Sequence, residues 1–157
     1  EYQRFNSRSR EVGQIMKLDP SRPNDPLVWS IPATDVAFEA AGGTWSTPAL
    51  YGPWVYESTV DGRLMEIDAE TGHVQWTIDL SPPVLSSPVV VDGVLIQGDC
   101  GGTLHAWDVG TDPLHPPKLL WDVSLASCIE STPAVWHGML WVGTRGGKIY
   151  GIGDRRV

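Results

Sequence analysis

Self-similarity at a period of about 40 residues constrains this chain more than any other feature, because a repeat decides the architecture before any local assignment is made. Ser46-Thr47-Pro48-Ala49, Ser86-Ser87-Pro88-Val89 and Ser131-Thr132-Pro133-Ala134 each open a unit. A glycine stands 14 residues after each proline, as Gly62, Gly102 and Gly147. From that glycine two units continue as Gly62-Arg63-Leu64-Met65-Glu66-Ile67-Asp68 and Gly102-Thr103-Leu104-His105-Ala106-Trp107-Asp108, and a looser third runs from Gly147 to Ile152. A truncated copy stands in front, Gly13 to Asp19, and Trp29, Trp76 and Trp121 close three of the units.

Within a unit, apolar and β-branched runs bounded by Gly, Pro or Asp read as short strands. In the second full unit they span Ser86 to Val91, Val94 to Gly98, Thr103 to Val109 and Lys118 to Ser124. The 17 Gly and 13 Pro supply the punctuation, with Asp61-Gly62, Asp92-Gly93 and Gly101-Gly102 expected as hairpin turns at positive φ. Four antiparallel strands per unit, repeated, predict an all-β fold of β-propeller blades. The chain then divides into the end of a preceding blade plus a connecting loop (1–42), a blade (43–81), a second blade (82–125) and a last blade lacking its fourth strand (126–157). A piece of an additional front strand is expected near Tyr2 to Phe5. The two partial blades both contain a third strand and so do not complement each other. The strand count therefore predicts the C-terminal part of a larger ring, completed by another chain or segment.

The string Asp68-Ala69-Glu70-Thr71-Gly72-His73-Val74-Gln75-Trp76 resembles the pyrroloquinoline-quinone (PQQ)-like repeat of quinoprotein dehydrogenases and their non-enzymatic relatives. That family's pattern, A-x-D-x-x-T-G-x-x-x-W, is matched at all but the first position, where Glu66 stands. The next unit keeps Ala106, Asp108, Thr111 and Trp121 but inserts five residues around Asp112 to Pro117. The last has Gly151 and Gly153 where Ala and Asp are expected, and no closing Trp. The resemblance implies a ring of roughly seven or eight blades. It also implies structural docking roles for Asp68, Thr71, Gly72, Trp76, Asp108 and Trp121, the Asp and Thr fixing a turn and the Trp packing on the glycine region of the adjacent blade. A buried indole contributes a few kcal/mol by area, roughly, and its N–H needs a partner at the seam. The WD repeat shares Trp107-Asp108 before a turn, but the aligned Ile67-Asp68 and Leu18-Asp19, with no Gly-His pair upstream, rank it second.

In this blade topology the turns between second and third strands share a face of the ring with the loops leading into each first strand. That face gathers Trp45, Asp61, Asp99, Glu130 and Arg145 as candidates for contact with a ligand or partner. Cys100 and Cys128 fall in neighbouring positions there and are candidates for a disulfide, two free thiols being the alternative. A disulfide would indicate an extracytoplasmic compartment, periplasmic, cell-surface or secreted. His73, His105, His115 and His137 lack zinc spacing, no metal site is expected, and no catalytic residue is assigned.

Net charge is −8, and between Pro23 and Thr144 fifteen Asp and Glu face only Arg63 and Lys118. Such a surface repels phosphate backbones, which argues against nucleic-acid binding. No apolar run is long enough for a membrane span, and the N-terminal residues hold no signal-peptide core, so any targeting segment lies upstream. The preferred reading is a non-catalytic, extracytoplasmic binding or scaffold module for a protein or polysaccharide partner, with no cofactor. The alternative implied by the resemblance is a fragment of a dehydrogenase for alcohols or sugars dependent on PQQ and calcium. An adjacent cysteine pair and a calcium-binding Glu, Asn and Asp set, features of those enzymes, cannot be placed on this chain.

Overall fold

The computed structural model describes residues 14–32 and 43–153. Within them thirteen strands form four antiparallel sheets. The first sheet pairs β1 (Gln14–Leu18) with β2 (Leu27–Pro32). The second runs β3 (Ala49–Tyr51), β4 (Trp54–Ser58), β5 (Arg63–Asp68), β6 (Val74–Asp79), each strand bonded to the next. The third repeats it as β7 (Val89–Val91), β8 (Val94–Gly98), β9 (Thr103–Asp108) and β10 (Lys118–Ser124). The fourth has β11 (Ala134–Trp136), β12 (Met139–Gly143) and β13 (Ile149–Gly153). The expected strand near Tyr2 to Phe5 lies outside the described residues, as do residues 154–157.

Turn chemistry sets these meanders. Asp92-Gly93 and His137-Gly138 take positive φ at both positions (50° and 77°, 48° and 72°), the twist that closes a two-residue hairpin. At Asp61-Gly62 and Gly101-Gly102, also expected as hairpin turns at positive φ, the second residue alone is left-handed. There Gly102 N–H donates to Asp99 C=O (3.2 Å) and Asp99 N–H to Thr103 C=O (3.0 Å), and Gly62 repeats the pattern with Thr59 and Arg63. This is a three-residue loop ending in a glycine bulge, in which one left-handed residue suffices. A Cβ on Gly102 would sit 2.6 Å from Leu125 O, so the position excludes side chains twice over.

The first strands begin later than the apolar pattern suggests, at Val89 rather than Ser86. The opening serines are engaged across the sheet instead: Ser46 Oγ donates to Ser58 O (3.0 Å), Ser86 Oγ to Gly98 O (2.8 Å) and Ser131 Oγ to Gly143 O (2.9 Å). Each hydroxyl caps the carbonyl that ends its own second strand, which explains why serine recurs there.

Three apolar clusters lie between successive sheets. Ile15, Val55, Met65 and Ile67 fill the first seam, with Trp29 and Ile31 against them. Tyr56, Leu64 and Trp76 meet Leu95, Trp107 and Val109 in the second. Ile96, Leu104 and Ala106 meet Ile129, Leu140 and Val142 in the third. Each four-stranded sheet is thus covered on both faces, which is why its strands read as continuous apolar runs.

Candidate functional site

The face bearing the glycine-bulge turns and the loops leading into each first strand is built by repeated backbone contacts. Val60 N–H donates to Gly43 C=O, Cys100 N–H to Pro83 C=O and Arg145 N–H to Cys128 C=O, at 2.8, 2.9 and 2.9 Å. Each turn is thereby tied to the lead-in loop of its own sheet.

Five of the expected face residues come together where the third and fourth sheets meet. Cys100 and Cys128 are joined by a disulfide (S–S 2.04 Å). Ile129 N–H donates to Asp99 C=O at 2.9 Å, and Glu130 pairs with Arg145 at 2.6 Å. The two sulfurs and a Glu130 oxygen lie within 4.8 Å of one another. With both sulfurs consumed in the bond, that group offers a cation one carboxylate already held by Arg145. Asp99, expected to be exposed, is buried; its carboxylate accepts from Thr103 N–H (2.9 Å) and contacts His105 Nε2 (3.1 Å), whose ring stacks on Trp107 at 5.2 Å. Its carboxylate is engaged within the turn. Trp45 and Asp61 belong to the neighbouring sheet, and Trp45 is the most exposed of the set. Asp61 pairs with Arg63 at 2.9 Å and accepts from Thr59 Oγ1. Burial works against ionisation of Asp61, but the bonds from Arg63 and Thr59 prevail and hold its pKa below the ordinary value.

On the opposite face the aspartates after β5 and β9 latch their turns. Asp68 accepts from Glu70 N–H, Thr71 N–H and Thr71 Oγ1 (2.9, 2.7 and 2.9 Å). Asp108 does the same with Gly110, Thr111 N–H and Thr111 Oγ1 (3.1, 3.1 and 2.6 Å). Both carboxyls are held below their ordinary pKa, Asp68 first by the Thr71 backbone and Asp108 first by the Thr71 counterpart's hydroxyl, Thr111 Oγ1. Trp29 Nε1 donates to Ala69 O (3.1 Å), and its ring lies where a Cβ on Gly72 would be, 2.7 Å from Cδ2. Trp76 is buried in the next seam, whereas Trp121 is partly exposed; the position where its counterpart seat falls by alignment, residue 154, is outside the described residues.

Two buried carboxyls lie outside the expected face: Glu57, with no signal in the repeat pattern, and Glu66, marked only by its standing where the family has Ala. Glu57 in β4 accepts from Thr44 Oγ1 and, at 2.7 Å, Ser46 Oγ. Glu66 in β5 accepts from Tyr56 Oη at 2.5 Å. Burial raises the pKa of both, against the pull of those hydroxyls, and one oxygen of each has no partner. Since the folded state then holds its protons more tightly than the unfolded chain, the contribution of Glu66 is intact below the unfolded carboxyl range and is lost as pH rises through its elevated folded value. Stability measured by urea unfolding is expected to fall over that window, and Glu66→Gln to flatten the fall. An unchanged slope in the variant contradicts a raised pKa for Glu66.

Comparison with known proteins places this geometry. The family model described as "Outer membrane protein assembly factor BamB" matches residues 12–115. The outer membrane protein assembly factor BamB of Burkholderia pseudomallei is 31% identical over 138 residues, 83% of this chain and 34% of the relative. Quinohemoprotein alcohol dehydrogenase ADH IIB of Pseudomonas putida is 36% identical over 77 residues, 42% of this chain and 11% of the enzyme. The crystal structure of BamB from Moraxella catarrhalis superimposes with a TM-score of 0.65 at 20% identity, covering 82% of this chain and 37% of that one. The chain spans between about a tenth and a third of the curated relatives it matches. Four antiparallel sheets stacked through apolar seams, together with these matches, make the chain a member of the BamB-type PQQ-like β-propeller repeat family.

Proposed function

We propose that this chain is a portion of a larger extracytoplasmic propeller of roughly seven or eight blades that serves as a non-catalytic scaffold, its turn-bearing face docking a protein partner. The observation that carries the reading is the reach of the BamB match, which runs through 83% of the chain, against 42% for ADH IIB. The Cys100–Cys128 disulfide supports an oxidising compartment. Protein is favoured over polysaccharide as the partner by the relatives' role in outer membrane protein assembly.

The alternative, a fragment of a PQQ- and calcium-dependent dehydrogenase, needs free oxygen donors converging on one point. The donors on these sheets do not fit: Asp61, Asp99 and Glu130 are engaged by Arg63, His105 and Arg145. The unpartnered oxygens of Glu57 and Gln97 are fully enclosed. Two measurements on the full-length protein separate the readings. Added PQQ and calcium are expected to give no bound-quinone absorbance and no alcohol-dependent dye reduction, and deletion of the gene is expected to lower outer-membrane protein content. Dye reduction with unchanged membrane composition reverses the assignment.

A further inference from the structure

Cys100 and Cys128 are held side by side by more than the bond between them. The residues that flank them, Asp99 and Ile129, are linked backbone to backbone, Ile129 N–H donating to Asp99 C=O at 2.9 Å. Cys100 N–H donates to Pro83 C=O and Cys128 C=O accepts from Arg145 N–H, both at 2.9 Å. On the same turn Gly102 C=O accepts from Leu125 N–H at 2.7 Å. Opening the S–S bond removes none of these contacts, so the two sulfurs stay neighbours in the reduced chain. The Glu130 carboxylate stays with them, one of its oxygens and both sulfurs lying within 4.8 Å of one another.

We infer that the reduced chain binds one zinc ion here, through Cys100 Sγ, Cys128 Sγ and a Glu130 oxygen, with water at the fourth position. Tetrahedral zinc, with Zn–S about 2.3 Å and Zn–O about 2.0 Å, sets its ligand atoms roughly 3.5–3.8 Å apart. The carboxylate already stands near that distance, and the sulfurs need to part by roughly 2 Å, the travel of a side-chain rotation. Paired thiolates select a borderline-soft cation over calcium or magnesium. Charge closes as well. Two thiolates and a carboxylate leave a divalent ion with a single negative charge in excess, and Arg145, 2.6 Å from Glu130, offsets it. Both cysteines are half-buried while Glu130 is exposed, so water reaches the fourth position from the turn-bearing face.

The interconversion balances in electrons and protons. A dithiol reductant gives two electrons to the S–S bond and two protons to the sulfurs, becoming a disulfide itself. Zinc then takes both sulfurs as thiolates, and the two protons pass to water. An external disulfide acting as oxidant reverses both steps and expels the metal. The site therefore belongs to the chain before oxidation, and either the metal or the covalent bond ties the third sheet to the fourth. It stands on these residues alone and is independent of the choice between scaffold and dehydrogenase fragment.

Cobalt(II) titration of the full-length protein, reduced with a dithiol and then freed of it without air, tests the site, with Cys100→Ser/Cys128→Ser as the blank for thiols elsewhere. One equivalent is expected to give the near-ultraviolet sulfur-to-cobalt charge-transfer band and the visible bands of a tetrahedral ion, and zinc to bleach both. Glu130→Gln is expected to weaken zinc binding by at least the roughly tenfold that losing an outer-shell partner costs. In the reduced protein, zinc is expected to slow hydrogen exchange in β11, β12 and β13 and to leave β4 and β5 unchanged, which loosely held thiols would not do. A titration no different from the blank overturns the site. Glu130→Gln binding zinc like the parent overturns the three-ligand set. Equal affinity of the reduced protein in urea assigns the metal to unstructured thiols and overturns the site, as does unfolding on reduction, read by circular dichroism, that zinc does not reverse.

Discussion

Trp76→Ala is expected to destabilise the protein by about 3–5 kcal/mol, lowering its melting temperature by on the order of 10 °C. Trp76 packs with Tyr56 (centroids 5.9 Å apart) and Leu64 of its own sheet and with Leu95, Trp107 and Val109 of the next. Truncation leaves a cavity at a seam that two sheets share and neither can close alone, because each is held by its own hydrogen-bond ladder. Trp136→Ala makes the control, since in the chain by itself that ring is exposed and its loss should cost about 0.5 kcal/mol or less. Thermal and urea unfolding of both variants measure the contrast. Equal losses would mean that the seams do not carry the stability.

Reduction of Cys100–Cys128, or a Cys100→Ser/Cys128→Ser double variant, is expected to cost about 3–4 kcal/mol in the chain-entropy limit for a closed loop of this length. The sequence separation is 28, and the loop contains β9, β10 and the lead-in to the last sheet. The bond therefore ties the third sheet to the fourth and leaves the seam between the second and third untouched. Hydrogen exchange should accelerate in β11, β12 and β13 on reduction, with β4 and β5 unaffected. Uniform acceleration across all the sheets would show that the bond acts on global stability rather than on that seam.

The family resemblance and the strand pattern were legible because blades repeat a local solution. Ser-x-Pro openings, hairpin glycines and the Asp-x-x-Thr latch each satisfy backbone groups within a few residues or one hairpin, so their signal survives in short strings. The candidate face was only partly legible. Asp99 sits in a turn, as expected of a surface carboxylate, yet the nearby His105 and the neighbouring sheet bury it. Glu66 showed only as a departure from the family's Ala, because its burial depends on the third sheet, and Glu57 passed as an ordinary strand residue, because its burial depends on the distant first seam.

Sequence by itself determined the meanders, their turns and the apolar character of both sheet faces, all consequences of short-range spacing. Tertiary structure alone decided which way each tryptophan points. In all three closing strands an extra residue, Val28, Gln75 or Leu120, breaks the register just before the indole. That bulge turns Leu119 to the side of Trp107 and Trp121 to the side of Ala106, overriding strict alternation. The reason is geometric: alternation fixes the faces only while the ladder stays in register, and where it slips is set by what the next sheet must receive.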